Sequence, residues 1–183
     1  AVGVVSGISA FTTRLQASLV QESHRFLAAD TVVRSGREMP SQWLQQAQDA
    51  ELAVATTLTF PTMVHGPDDA MQLASIKAVS GAYPLRGELK FSQQPFASPS
   101  VAEHGPARGE VWLDSRLFPL LNVSVGDTVQ VGEANLQVAG AVRGEPDQAA
   151  GMFGYGPRLL MHYDDIAATA VIQPGSRVEF RQL

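Results

Sequence analysis

The sequence contains no cysteine. Its absence excludes disulfides, thiolate nucleophiles and cysteine-based zinc sites together. It does not fix the compartment, because a chain without thiols is compatible with an oxidising space. The sequence also lacks a run of about 20 apolar residues, the length that a helix needs to cross a bilayer, so no segment predicts a complete membrane span by itself.

Charged and aromatic residues are also sparse. They make up 17% and 7% of the chain, against 45% hydrophobic residues, which is the composition of a folded and rather apolar protein. A chain of 183 residues suffices for one domain or two small lobes. The net charge of −5 and the scattering of the 13 basic residues argue against a nucleic-acid partner, because phosphate binding depends on clustered lysine and arginine.

No motif in the sequence predicts catalysis. The histidines show no H-x-x-x-H or H-E-x-x-H spacing that would indicate a metal site; they are His24, His65, His104 and His162. The G-x-S-x-G motif is absent, and so is the P-loop, so any ATPase activity would belong to another polypeptide. The pairs Asp68-Asp69 and Asp164-Asp165 are explained by turn and helix-cap positions. We therefore predict a protein that is not an enzyme, with no catalytic residue, cofactor or metal.

Hydrophobic periodicity predicts a chain rich in short strands. Its clearest part lies between Gly109 and Arg143, where a strand at Val111–Leu113, a helix around residues 117–121 and a hairpin of Thr128–Val131 with Leu136–Val142 follow one another. Outside this part we predict two helices, one over Phe11–Ala29 and one that Ser41 caps and that ends at Ala50. We predict strands over Thr31–Val33, Leu52–Phe60, Leu73–Val79, Arg158–Tyr163 and Arg177–Arg181. Two long surface loops are predicted over Gln93–Pro106 and Gly144–Pro157.

Several short stretches, taken in their order, carry a family resemblance. They are Phe60–Val64, Tyr83–Gly87, Val111–Asp114, the pattern V-G-D-x-V-x-V-G-x-x-x-x-x-V-x-G-x-V from Val125 to Val142, Pro157–Met161 and Gln173–Val178. Together they resemble the extracytoplasmic core domain of MacB-like ABC transporter permeases. Within that MacB/LolC/FtsX superfamily, the chain is most similar to the YbbP-type permeases.

The resemblance implies an α+β fold in two parts. We expect residues 30–84 plus 158–183 to form a mixed-sheet α/β porter-like lobe, into which residues 85–157 insert a small β-rich lobe, as in the MacB periplasmic core. The uncharged apolar start of the chain allows either a frayed terminus or a first core strand. The resemblance instead favours residues 1–29 as the end of a first membrane helix and a stalk helix.

The resemblance also implies a function. It predicts a non-catalytic extracytoplasmic domain of an ABC permease in the bacterial inner membrane, placed on the periplasmic side and coupled through the full-length permease to a cytoplasmic ABC ATPase subunit. Such a domain passes ATP-driven membrane-helix motion to a periplasmic protein or a lipidic substrate. Two alternatives stay open: a stand-alone ligand- or protein-binding module, and a small hydrolase, which would need a pocket containing at least two of His65, His104, Asp114, Arg86 and Arg158.

Apolar residues in the two long loops are the candidate interaction surface. If exposed, they would form an apolar patch able to contact a lipidic substrate or another protein; they are Phe96, Met152, Phe153 and Tyr155. Arg86 joins this set because it follows a proline-fixed bend and could bind a carboxylate. Its simpler interpretation is a structural salt bridge, which needs no ligand.

Overall fold

The computed structural model describes residues 28–147, 156–173 and 175–183. Its strands are β1 (Val33–Ser35), β2 (Thr56–His65), β3 (Met71–Val79), β4 (Leu89–Ser92), β5 (Ser100–Ala102), β6 (Glu110–Asp114), β7 (Thr128–Val131), β8 (Ala134–Gly144), β9 (Arg158–His162) and β10 (Glu179–Gln182). Its helices are α1 (Ser41–Asp49), α2 (Leu117–Leu121) and α3 (Ile166–Thr169), the last preceded by a 3-10 turn at Tyr163–Asp165. Strands therefore dominate the described residues, and the helices are short.

The strands form one mixed sheet, part of which closes into a barrel. The pairs are β2 with β3, β3 with β9, β9 with β6, β6 with β8, β8 with β7, and β7 back to β2. Two of these pairs, β3 with β9 and β6 with β8, are parallel, and the others are antiparallel. The sheet continues beyond the barrel through β10 and β1 on one side and through β4 and β5 on the other.

The inside of the barrel is apolar, because the inward residues of each strand are hydrophobic. At most 1% of the residue surface is exposed at Leu58, Phe60, Ile76, Leu113 and Met161. Full burial of each such side chain stabilises the fold by about 1.5–3 kcal/mol. Alternation of side chains along each strand then places the intervening residues on the outer face of the sheet.

The outer face carries a second, smaller apolar cluster. It contains Tyr83, Leu89, Trp112, Val142 and Leu160, together with Ala28 and Ala29 from the start of the described chain. The ring of Trp112 lies 4.4 Å from that of Phe91 between centroids. This cluster fixes the bend after β3 and the first described residues against the same side of the sheet.

Most predicted elements between residues 109 and 143 are present. The strand, the helix over Leu117–Leu121 and both hairpin strands are where periodicity predicts them. The helix ends at Asn122, whose φ of 52° is left-handed. The alternation in β8 is also as expected, since Leu136 and Val138 are buried while Gln137 is exposed.

Three local predictions are wrong. Ser41 does not cap its helix: it is the first helical residue, Pro40 takes the cap position, and Trp43 donates its N–H to the Pro40 carbonyl at 3.0 Å. Asp165 does occupy the N-cap position of α3, but it makes no cap bond: its carboxylate instead accepts the N–H of Gly109 at 2.7 Å, a partner that local sequence does not indicate. The predicted loop Gln93–Pro106 contains a strand, β5, which pairs with β4.

The barrel combines strands from both predicted lobes. It takes β2, β3 and β9 from residues 30–84 and 158–183, and β6, β7 and β8 from residues 85–157. The two predicted lobes therefore share one sheet. Their division stays a prediction. The predicted helix Phe11–Ala29 lies outside the described residues except for Ala28 and Ala29. Among the residues that the structure describes, no helix is long and apolar enough to cross a membrane.

Candidate functional site

A groove of about 610 Å³ opens where the two ends of the described chain meet. One wall is formed by Ala29–Thr31 and another by Gln182 and Leu183, next to residues of α1 and the segment before β2. Backbone hydrogen bonds fix both ends, since Ala28 accepts the N–H of Arg86 at 2.8 Å and Leu183 exchanges two bonds with Ala55. The start and the end of the described chain are therefore held at one place on the domain.

The groove wall includes exposed apolar side chains. Trp43 of α1 is 50% exposed and Leu52 is 62% exposed, and both line the groove. No residue of α1 is buried, and none belongs to either apolar cluster. An exposed apolar surface of this kind is suited to contact an apolar ligand or another chain segment.

Arg86 lies at this groove in the salt bridge that was predicted for it. Its guanidinium binds the Asp30 carboxylate through two N–H donors, at 2.8 and 3.2 Å. The hydrogen bond and the negative charge of Asp30 raise the pKa of Arg86. Because both side chains are more than half exposed, the pair orients residues 28–30 more than it stabilises the fold.

Phe96 is on a different part of the surface and is not among the residues that line the groove. Its ring is 77% exposed, while the carbonyl of the preceding Pro95 accepts hydrogen bonds from Ser115 and, at 2.6 Å, from Arg143. The backbone is thus fixed and the ring is left in solvent. The other predicted members of the interaction surface, Met152, Phe153 and Tyr155, lie outside the described residues.

A buried network of charged side chains covers the outer face of the sheet beside β3, and sequence reasoning missed it. The Lys77 ammonium donates three hydrogen bonds, to Tyr83 Oη at 2.7 Å, Glu145 Oε2 at 2.9 Å and Asp147 Oδ1 at 2.5 Å. Its three N–H donors are therefore all used. Lys77 also lies 4.4 Å from the centroid of the Tyr83 ring, within the range of a cation–π contact.

Two arginines complete the network. Arg158 of β9 donates to Glu145 Oε1 at 2.9 Å, and Arg181 of β10 pairs with Asp147 Oδ2 at 3.4 Å. Arg181 also donates to Glu179 at 2.6 Å. Three cations thus face three carboxylates, and a fourth cation, the half-exposed Arg34, lies 3.9 Å from Glu179 at the edge of the cluster. The only signal in the sequence was the acidic pair in G-E-P-D, which resembles an ordinary solvated loop.

The network changes the titration of its members. Burial raises the pKa of Asp147, but the charges of Lys77 and Arg181 and the hydrogen bonds from Lys77 and Tyr83 outweigh it, so the net pKa is below the usual range. Burial, followed by the charges of Asp147 and Glu145, raises the pKa of Tyr83 well above its usual value. Both shifts favour an ionised Asp147 and a neutral Tyr83 at neutral pH, and these are the states in which their hydrogen bonds form.

The arrangement gives little support to hydrolysis. A hydrolase pocket would need at least two of the five predicted residues, and the groove contains Arg86 alone. Asp114 is paired with Arg116 at 2.8 Å, and His162 accepts the N–H of Asp164 through Nδ1 at 3.2 Å. Within the described ranges, no group of three or more histidine or acidic side chains is placed to hold a metal ion.

Comparison with known proteins identifies relatives of the whole chain. No protein-family model matches it. Over 181 residues, or 99% of the chain, it is 41% identical to the uncharacterized ABC transporter permease YbbP of Escherichia coli strain K12. The chain spans only 21% of the length of that relative.

A solved structure shares the fold. The periplasmic region of MacB from Actinobacillus actinomycetemcomitans matches with a TM-score of 0.50 and 15% identity, covering 89% of this chain and 78% of that one. At this identity the match concerns the fold alone. The sequence match thus confirms the resemblance to YbbP-type ABC transporter permeases, and the structural match confirms a mixed α/β fold like that of the MacB periplasmic region.

Proposed function

We propose that the chain is an extracytoplasmic domain of an ABC transporter permease, and that it passes ATP-driven motion of membrane helices to a periplasmic substrate or partner. The identity to YbbP and the MacB-like fold support the assignment to a permease. The observation that carries the mechanical part is the meeting of Ala29–Thr31 with Gln182 and Leu183 in one groove. A segment that joins the domain before Ala28 and one that joins it after Leu183 would act at the same point, and the domain would move with them as one body.

The contacts at the groove suit such a transfer. Arg86 binds residues 28–30 in two ways: its backbone N–H donates to the Ala28 carbonyl, and its guanidinium donates to the Asp30 carboxylate. At the other end, Leu183 and Ala55 exchange hydrogen bonds at 3.2 and 2.9 Å, directly beside β2 of the barrel. A displacement of either end is therefore applied to a rigid, packed element and not to a free loop.

In this proposal residues 1–29 contain the end of a membrane helix and a stalk, and the domain lies on the periplasmic side of a bacterial inner membrane. The ATPase is a separate cytoplasmic subunit that acts through the full-length permease. The chain itself is not an enzyme and supplies no ligand for nucleotide. The lobe division at residues 84–85 and 157–158 belongs to the same proposal.

The proposal is tested on the natural full-length chain. We expect it to stay in membranes after alkaline carbonate extraction and to co-purify with an ATPase. In the purified complex, ATP should change hydrogen exchange at residues 28–31 and 182–183, whereas a complex with a catalytically inactive ATPase should show no change. A full-length chain that is released by carbonate and has no ATPase partner would overturn the proposal.

The exposure of Phe96 favours a second candidate, a module that binds a periplasmic protein. Phe96 is 77% exposed next to a backbone that hydrogen bonds hold at Pro95, so its ring is available to contact another protein. A photo-reactive residue at position 96 of the full-length chain should then cross-link to that protein in cells. The same residue at Val101, which is also exposed but lies on the edge strand β5, is the matched control.

A further inference from the structure

The segment that follows β8 is held differently from the rest of the fold. Glu145 and Asp147 are buried, although they belong to a turn outside the sheet. Among the described residues, the hydrogen bonds that join them to other elements are made by their carboxylates, with Lys77, Tyr83, Arg158 and Arg181. Within the described residues, no backbone hydrogen bond joins residues 145–147 to another element, and none of the three belongs to either apolar cluster.

We propose that residues 145–147 form a releasable strap, which the carboxylates of Glu145 and Asp147 hold on the outer face of the sheet and which leaves that face while the barrel stays folded. Pulling a barrel strand away would expose Leu58, Phe60 or Ile76 to water, at the full hydrophobic cost. Release of the strap instead exposes charged groups, which water solvates well. The two events therefore differ in the kind of surface that they expose.

Charge balance explains why the strap is held at all. With the strap in place, Lys77, Arg158 and Arg181 are neutralised by Glu145, Asp147 and Glu179. Burying ion pairs is costly and gives little net stability compared with apolar packing, so a network of this kind is better suited to specify one position than to strengthen the fold. Without the strap, Lys77 and Arg158 would lose the carboxylates with which they pair here, and Arg181 would lose Asp147.

Acidity within the ordinary range does not release the strap. The groups that face Asp147 are Lys77 from β3, Arg181 from β10 and Tyr83 from the bend, and Glu145 is its neighbour in the strap. With the pKa of Asp147 lowered and that of Tyr83 raised, both groups keep their ionisation state around neutrality. Release therefore needs a mechanical displacement of the strap or of its partners. Arg181 can transmit such a displacement, because its strand β10 ends at the groove. This last step rests on the proposed function, whereas releasability itself does not.

The chain contains its own probe and control, because Lys77 and Lys90 are its only lysines. The side chain of Lys77 is 12% exposed and covered by the strap, whereas that of Lys90 is 49% exposed. Acetylation of the 183-residue chain by acetic anhydride, followed by peptide mass spectrometry, reports how often the strap leaves Lys77. Increasing urea below the unfolding transition separates local opening from global unfolding, because the response to urea scales with the surface exposed.

We expect Lys77 to react more slowly than Lys90, with a rate that depends only weakly on urea. The Asp147→Asn substitution should raise the Lys77 rate by about 10- to 100-fold, the range that corresponds to the loss of a hydrogen bond to a charged group, and leave the Lys90 rate unchanged. Glu145→Gln is the second variant, and we expect the same direction. Arg108→Gln, which removes an exposed guanidinium 3.9 Å from Asp165, should leave both rates as they are.

Two results would overturn the proposal of a releasable strap. In one, Lys77 reacts only through global unfolding, with the same urea dependence as the change in tryptophan fluorescence on unfolding. In the other, both strap variants leave the Lys77 rate unchanged. Either result leaves the permease proposal standing, because that proposal is decided by membrane retention and by co-purification with an ATPase.

Discussion

Lys77 and Asp147 are 70 positions apart in the sequence, and their side chains meet at 2.5 Å on the outer face of the sheet. The contact joins β3 to the turn that follows β8, two elements that do not pair with each other. Tyr83 donates its hydroxyl to the same Asp147 oxygen, also at 2.5 Å. This point therefore fixes the position of the turn relative to the barrel, and its protonation states determine how stability depends on pH.

Acid should weaken the protein through Asp147. Its folded pKa is lower than the unfolded value of about 3.9, so the contribution is complete above that value and is lost as the pH falls through the folded pKa. We expect urea unfolding of the wild-type chain to show a loss of stability below about pH 4 that is smaller in Asp147→Asn.

Asp68→Asn is the control for this acid titration. It makes the same chemical change in the exposed turn between β2 and β3, where the residue already has a left-handed φ of 56° that asparagine tolerates. Its acid profile should follow that of the wild type. An Asp147→Asn profile as steep as the wild-type profile would show that other carboxylates control the acid transition.

Alkali should act through Tyr83. Its folded pKa is higher than the unfolded value of about 10, so its contribution is complete below that value and is lost as the pH rises toward the folded pKa. We expect the near-ultraviolet absorbance of tyrosinate to show that one of the three tyrosines ionises only when the chain unfolds.

The Tyr83→Phe variant tests that assignment. It removes the hydroxyl that donates to Asp147, which should cost about 1–3 kcal/mol of unfolding free energy at neutral pH. It should also remove the ionisation that occurs only on unfolding, whereas Tyr163, whose pKa is raised by burial and by the charges of Glu38 and Asp164, keeps its own smaller delay. A tyrosine that still ionises only on unfolding in Tyr83→Phe would assign the effect to another ring.

Packing of the β2–β3 turn against α2 is tested by a single methyl group. A Cβ at Gly66 would lie 2.3 Å from the Leu121 carbonyl oxygen, a backbone atom that cannot rotate away. We expect Gly66→Ala to lower the free energy of unfolding by about 1–3 kcal/mol. Gly36→Ala, whose Cβ would have nothing within 4 Å, should leave it unchanged or slightly raised. Equal effects of the two substitutions in urea denaturation would contradict this contact.

The sequence predicts those parts of the fold in which local pattern determines structure. The alternation in β8, the short helix over Leu117–Leu121 and the turn at Asp68-Asp69 follow from side-chain periodicity and backbone preference, and each is present. Periodicity indicates which side chains share a face, but it does not indicate the partner strand. Closure of the barrel through Val64 beside Val131 was therefore not predicted.

The charged network was missed for a related reason. Glu145 and Asp147 follow a glycine and flank a proline, a pattern typical of solvated turns, and their partners are 13 to 70 positions away. Only the tertiary structure brings Lys77, Arg158 and Arg181 to one place. Arg86 was predictable because the local sequence already offered a bend and a free charge, and its salt bridge with Asp30 is present.

The last prediction concerns Phe96, the one phenylalanine of the predicted interaction surface that the structure describes. Because its ring is 77% exposed, Phe96→Ala should change the free energy of unfolding by no more than about 0.5 kcal/mol. Phe60→Ala makes the same truncation at a ring that is 1% exposed inside the barrel, and it should cost about 3–5 kcal/mol. Urea unfolding of the two variants gives the comparison. A large loss in Phe96→Ala would mean that the ring stabilises the fold and is not free to contact a partner, which would remove the basis for the binding-module candidate.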